Sequence, residues 1–248
     1  MPTRAQLKQS AKNAMRNTKP SVMLIALVYL IIIYVLELLE YKVMFPGMSL
    51  YRIYMTILDG GLPPMNTGAA SQLIRLAIQV MGTMLGIGIT SVCLNVSRFR
   101  SVDFGSLFDP FAMFFKLLWL DILMGIYVML WSLLFVIPGI IASYRYSMAV
   151  YIMLDNPEYS ASECIRRSKE MMDGKKLDLF VLQLSFIGWQ LLTIIPFVGI
   201  YVLPYAQTTY ANFYNALSGY IPEADYTVHG DNGPYNGGGW DNGKDPWD

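Results

Sequence analysis

Charge is scarce in this chain. Only 15% of its 248 residues are Asp, Glu, Lys or Arg, against about 25% in an ordinary globular protein, and the shortfall falls in long uncharged blocks. With 54% hydrophobic residues and a mean hydropathy of +0.40, this excludes a disordered chain and speaks against a soluble domain. Histidine occurs once, as His229 in a polar C-terminal stretch, and cysteine twice, as Cys93 and Cys164 in unrelated settings. No disulfide framework or metal centre can be assembled from that set. Ser/His hydrolysis needs a histidine among the apolar helices, so that chemistry is excluded too. Gly174-Lys175-Lys176 lacks the first glycine and the hydroxyl residue of a phosphate loop, and Asp241-Asn242-Gly243-Lys244-Asp245 lacks the twelve-residue calcium pattern. Neither a cofactor nor a metal is expected. Lys and Arg total 18, Asp and Glu total 18, for a net charge of +0, which leaves no electrostatic footprint for nucleic acid.

What the chain has is apolar length. Residues 22–36 carry no charge and, with Leu38 and Leu39 around Glu37, make a first span; residues 76–97, bounded by Arg75 and Arg98, make a second. Residues 111–154 are interrupted only by Lys116, Asp121 and Arg145, and residues 179–222 by no charge at all. As single helices these two blocks would each be about 66 Å long, roughly twice the hydrocarbon thickness of a bilayer. Each must fold back on itself, and turn signals stand at Ile137-Pro138-Gly139 and around Pro196 to Gly199. The expectation is an all-α, polytopic membrane protein with six transmembrane helices.

Thirteen of the 18 basic residues fall before the first span, between the second and third, or between the fourth and fifth. An even number of spans puts those regions on one side, which basic enrichment marks as cytoplasmic, with both termini there. Three segments follow: a basic amphipathic N-terminal helix in residues 1–20, a six-helix membrane domain in 21–218, and a disordered, acidic, glycine-rich tail in 219–248. The N-terminal helix has capping-box spacing at Thr3 and Gln6 and gathers Leu7, Ala11, Ala14, Met15 and Thr18 on one face. A second amphipathic helix fits residues 161–173, with Ser160 and Glu163 at its start and Gly174 at its stop. Both are expected to lie on the anionic inner leaflet.

Single residues inside the spans carry the remaining information. Arg145, seven residues past Pro138, is a charge at depth and hence a candidate site, or else an arginine held by carbonyls and hydroxyls. Tyr144, Gln183 and Gln207 are candidate neighbours for a polar or lipid site. Glu37 and Arg75, at the outer ends of the first two spans, are a candidate ion pair, as are Lys116 and Asp121 near the inner surface. Gly82 and Gly86, at four-residue spacing, allow a close helix contact. Trp131 to Pro138 and Trp189 to Pro196 align without a gap, which either records a parallel duplication or reflects composition alone.

The run from Tyr146 to Pro157, then Ser168-Lys169 with Met172 and Gly174, Leu184 to Trp189, and Pro204-Tyr205 with Phe213-Tyr214, resembles an uncharacterised bacterial integral-membrane family, domain of unknown function 975. That resemblance implies a multi-span protein of the bacterial cytoplasmic membrane, distantly like the membrane portions of some glycerophosphodiesterases, and implies no catalytic residue. Three function classes are carried forward. The first is a non-enzymatic protein acting through contacts with anionic lipid, a protein partner or a second copy of itself; the second is a transporter or permease component with a polar cavity containing Arg145; the third is a membrane enzyme of unrecognised chemistry.

Overall fold

The computed structural model describes residues 2–195 and 197–220, and among them it is helical throughout, without strands. Of the tail expected to be disordered, Gly219 and Tyr220 are described and the rest, with His229, lies outside the described residues. Four stretches are long and apolar enough to cross a membrane: Val22–Met44, Ala69–Ser97, Gly105–Leu134 and Val136–Asp155. This is compatible with a membrane protein.

The chain opens with α1 (Arg4–Arg16), whose N-terminus is closed by a reciprocal pair. The Gln6 amide N–H donates to Thr3 Oγ1 at 3.3 Å, and the Thr3 N–H donates to Gln6 Oε1 at 2.7 Å. Its apolar residues Leu7, Ala11, Ala14 and Met15 are buried against α4 (Ala69–Ser97) and α11 (Val198–Ser218). The face expected on lipid is therefore covered by the protein itself. Between them come α2 (Val22–Met44) and α3 (Leu50–Leu58). Two short 3-10 turns, Gly105–Leu107 and Asp109–Met113, lead into α5 (Phe114–Leu134).

α5 and α6 (Val136–Tyr146) form the first hairpin. Its reversal is at Phe135, which is fully extended at φ −161°, ψ 152°, earlier than the expected Ile137-Pro138-Gly139. Pro138 instead occupies the first turn of α6, where its missing N–H forfeits no helical bond. Gly139 permits close approach, because a Cβ there would overlap the Ser132 side chain. After α6 the backbone breaks at 147–148 and resumes as α7 (Ala149–Asp155). The second hairpin departs from a pair of plain spans. α9 (Lys176–Leu184) and α10 (Ile187–Leu192) are 9 and 6 residues long, and a turn at 185–186 separates them. Neither alone reaches across about 30 Å of hydrocarbon. α11 is 21 residues long, but Gln207, Thr208, Thr209, Asn212 and Asn215 dilute its hydropathy.

Both breaks strand backbone groups, and a helix from outside the spans answers each. The second is α8 (Ala161–Met171), which lies against α5, α6 and α7 with Cys164, Ile165 and Ser168 buried. Ser168 Oγ donates to the Arg145 carbonyl at 2.8 Å and accepts the Met148 N–H at 3.2 Å, bridging the break between α6 and α7. At the other break, Lys8 Nζ of α1 donates to the Ser185 carbonyl at 3.1 Å and sits 4.3 Å above the Phe186 ring. A buried backbone group without a partner costs about 1–3 kcal/mol, which applies at the break between α6 and α7, where Met148 and Ser168 are buried; the Lys8 contact lies at an exposed turn. The apolar face of α8, like that of α1, is covered by protein instead of lipid.

Packing is uneven along the helices. The C-terminal half of α4 is the centre of the core: Met84, Leu85, Ile89, Val92, Cys93 and Val96 are at most 2% exposed. The N-terminal half of α4, the far end of α2 and the α5–α6 hairpin expose Leu73, Leu76, Ile31, Val35, Leu133 and Ile137. Buried side chains thus gather at one end of the bundle and exposed apolar ones at the other.

Candidate functional site

At the packed end, α4 stops with Ser97 and Arg98, and Phe99, at φ +56°, turns the chain back so that the Arg100 N–H returns to the Asn95 carbonyl at 3.0 Å. Arg75 and Arg98 bracket the uncharged stretch of α4 with about 35 Å of helix between them, close to one hydrocarbon thickness. Arg98 therefore stands at the end of that apolar stretch. Its side chain is nevertheless only 4% exposed, and a guanidinium that dry needs its partners fixed.

The partners come from α7 and α11. Arg98 Nη1 and Nη2 donate to Asp155 Oδ1 and Oδ2 at 2.6 and 2.7 Å, the parallel two-pronged geometry that suits guanidinium and carboxylate. Arg98 Nε donates to Asn215 Oδ1 at 3.0 Å; Asn215 Nδ2 in turn donates to Ser97 Oγ at 2.9 Å. The Tyr214 hydroxyl donates to Asp155 Oδ2 at 2.8 Å, and its ring stacks on Tyr151 with centroids 5.1 Å apart. The Tyr220 ring lies 4.3 Å from the guanidinium carbon, within cation–π range. Three helices, α4, α7 and α11, and the residue just past α11 are tied to one charge pair.

Beside this pair opens a cavity of about 800 Å³, walled by the ends of α4, α7, α8 and α11. Its charged lining is Arg98, Arg100, Arg167 and Asp155, and its aromatic lining is Tyr159, Tyr214 and Tyr220. Arg167 Nε donates to Glu163 Oε1 at 2.9 Å and its guanidinium lies 4.2 Å from the Tyr159 ring. The hydrogen bonds from Arg166 and Arg167 hold the Glu163 carboxyl down at about 2. Arg100 is exposed at the mouth and has no ion pair among the described residues. With Arg98 paired to Asp155 and Arg167 to Glu163, Arg100 gives the cavity its excess positive charge, which favours an anion, and planar arginine forks match the oxygens of phosphate or carboxylate. The tyrosine walls offer hydroxyl donors and apolar faces.

The residues singled out from the sequence lie elsewhere. Arg145 is half-buried in the last turn of α6, and its side chain makes no hydrogen bond or ion pair among the described residues; what the fold uses is its carbonyl, through Ser168. The Tyr144 hydroxyl donates to Gln183 Oε1 at 2.6 Å, and the Tyr144 ring meets Phe180 edge-on. Gln207, half-buried on α11, is not joined to them. The ion pair of Arg75 needs correction: Arg75 Nε reaches Glu40 Oε1 at 3.5 Å, one helical turn on from Glu37. α2 continues to Met44, which keeps Glu40 on the helix and level with Arg75. Lys116 Nζ donates to the Pro157 carbonyl at 2.7 Å and not to Asp121. Gly82 and Gly86 face open space, whereas a Cβ at Gly88 would overlap the Leu107 carbonyl; the close approach on α4 is at Gly88.

The Arg98–Asp155 pair was missed because each residue was read only as a boundary mark. The signal was present: the base ending the second span and the acid ending the fourth fall on one side of the expected topology, at matching depth. Comparison with known proteins bears on this same region. No curated protein and no solved structure matches the chain, so the distant likeness to glycerophosphodiesterase membrane portions has no match behind it. Residues 133–220, which supply Asp155, Tyr159, Arg167, Tyr214 and Tyr220 to the cavity, match the model of the family described as Protein of unknown function (DUF975).

Proposed function

We propose that this chain is a polytopic protein of the bacterial cytoplasmic membrane that acts without catalysis, by holding a phosphate-bearing anionic head group in the cavity of Arg98, Arg100 and Arg167. The observation that carries this reading is the cavity's charge: three arginines and one carboxylate, at the end of an apolar bundle where lipid head groups lie. Six spans complete the topology, with α9 and α10 together as the fifth and α11 as the sixth, and both termini on the cytoplasmic side. The basic residues 166–176 and those of α1 are then on that side too. Arg98, fixed by Asp155, shapes the cavity; Arg100, exposed at the mouth, is the cation left to meet the ligand.

The test is thermal unfolding in detergent with added phosphatidylglycerol, phosphatidylcholine or inorganic phosphate. A ligand at about a hundred times its dissociation constant adds about 2.7 kcal/mol of stability. Phosphatidylglycerol should raise the midpoint, and Arg100→Gln should abolish the rise while leaving the unliganded midpoint in place. Equal stabilisation by phosphatidylcholine, or an undiminished rise in Arg100→Gln, overturns the reading. A rise with inorganic phosphate alone assigns the site to a soluble anion.

A second reading, transport, draws on one observation. The interrupted segments α6/α7 and α9/α10 are neighbours and meet through Tyr144 and Gln183, and discontinuous helices mark the binding region of many transporters. Arg145→Gln separates the two, since it should leave head-group binding intact and abolish uptake only in a transporter.

A further inference from the structure

The loop joining α2 to α4 contains α3, and α3 is built unlike the rest of the chain. It has nine residues, none of them buried, yet Leu50, Tyr51, Tyr54, Ile57 and Leu58 are 56–71% exposed. On a helical wheel these side chains and Met55 form one broad face, while Arg52 and Thr56 lie together opposite it. The helix is properly made despite its exposure: Ser49 Oγ accepts the Arg52 N–H at 3.3 Å, Thr56 Oγ1 donates to the Arg52 carbonyl at 2.8 Å, and Gly60, at φ +77°, ends it. A short isolated helix is marginal in water, so this one needs a surface to lie on.

The loop's attachment says which surface. Tyr41, in the last turns of α2, donates its hydroxyl to the Met48 carbonyl at 2.8 Å. The Asn66 N–H donates to the Met44 carbonyl at 2.8 Å. Ser71, in the first turn of α4, donates to the Gly68 carbonyl at 2.6 Å. Both ends of the loop are thus pinned to the ends of two membrane-length helices, and α3 cannot leave the plane in which those helices emerge. At that plane an apolar face meets acyl chains, and tyrosines beside it sit well at head-group level.

We infer that α3 is an interfacial helix, lying on the leaflet at the α2–α4 loop with Leu50, Tyr51, Tyr54, Ile57 and Leu58 in lipid and Arg52 and Thr56 toward water. This rests on α2 and α4 crossing the bilayer and is independent of the arginine cavity. The full chain, with Cys93 and Cys164 replaced, is reconstituted at low density in phosphatidylglycerol/phosphatidylcholine vesicles and spin-labelled at single cysteines from 50 to 58. Access to oxygen and to a water-soluble nickel complex is then compared. The oxygen-to-nickel ratio should oscillate with helical period, severalfold higher at 51, 54 and 58 than at 52 and 56. Uniform nickel access along α3 overturns the inference, as does dipolar broadening that reports a second copy on this face. A label at Ile31, mid-span on α2 and 54% exposed, is the control: nickel access there as well would locate the failure in the membrane reading itself.

Discussion

Removing both members of the Arg98–Asp155 pair should cost less than the two single removals summed. In Asp155→Asn the guanidinium stays where it is, 4% exposed, and loses both charged oxygens while keeping Asn215 and the Tyr220 ring. Stranding one member of a buried pair typically costs 3–5 kcal/mol. Asp155 is 22% exposed, so its removal belongs at the lower end, about 3 kcal/mol. Arg98→Gln is milder, about 2 kcal/mol, because the remaining carboxylate keeps the Tyr214 hydroxyl and some water. If the residues act as a unit, the double variant should lose about 3 kcal/mol instead of the sum, a coupling of about 2 kcal/mol. For a chain of this size 1 kcal/mol moves the unfolding midpoint by roughly 2–4 °C, so Asp155→Asn should fall by roughly 6–12 °C. The assay is thermal unfolding in detergent followed by circular dichroism. Additive losses would refute the reasoning, because they would mean that Arg98 and Asp155 are each held by other groups.

Ser168→Ala leaves the Arg145 carbonyl and the Met148 N–H without a partner, and should destabilise by about 2–4 kcal/mol in the same unfolding assay; Ser168→Thr, which keeps the hydroxyl, should recover part of that. Gly88→Ala drives a Cβ into the Leu107 carbonyl and should cost about 1–3 kcal/mol, while Gly82→Ala meets open space and should be neutral or stabilising by up to about 1 kcal/mol. A lower sedimentation mass in Gly82→Ala would instead show that this glycine packs between copies. Glu163 has its folded pKa depressed to about 2, so its contribution is fully present above the unfolded value of about 4.3 and is lost as pH falls from there toward about 2. Unfolding midpoints of wild type and Glu163→Gln should therefore differ by a constant amount from pH 7 to pH 5 and converge below that, by a small margin because Glu163 is solvated.

Most of the helical layout was legible because spans are a matter of length and missing charge, and because caps are local. Thr3 with Gln6, and Ser160 with Glu163, mark helix starts through spacing alone, and both caps are present. What hydropathy could not register was interruption. No proline or glycine stands at 147–148 or 185–186 to mark a break, and the partners that meet the freed backbone groups, Ser168 and Lys8, lie 20 or more residues away in the sequence. The same blindness hid the lining of the cavity. A charge at a span boundary satisfies the topology rule whether it faces water or another charge, and only packing brings Arg98 beneath Asp155. The Arg75 error was one of register: ending α2 at Leu39 removed Glu40 from consideration, although a helix one turn longer offers the better-placed carboxylate. The residues gathered on one face of α1 and of α8 are buried, but whether protein or lipid covers such a face is set by tertiary contacts that periodicity does not encode.

The central claim, an anionic head group held at Arg100, is tested most directly by native mass spectrometry of the protein released from detergent micelles after equilibration with equal phosphatidylglycerol and phosphatidylcholine. Wild type should carry one strongly retained phosphatidylglycerol, and Arg100→Gln should lose it, whereas Arg4→Gln, which removes an exposed cation of α1, should keep it. Equal retention by wild type and Arg100→Gln, or no preference between the two lipids, would contradict the account.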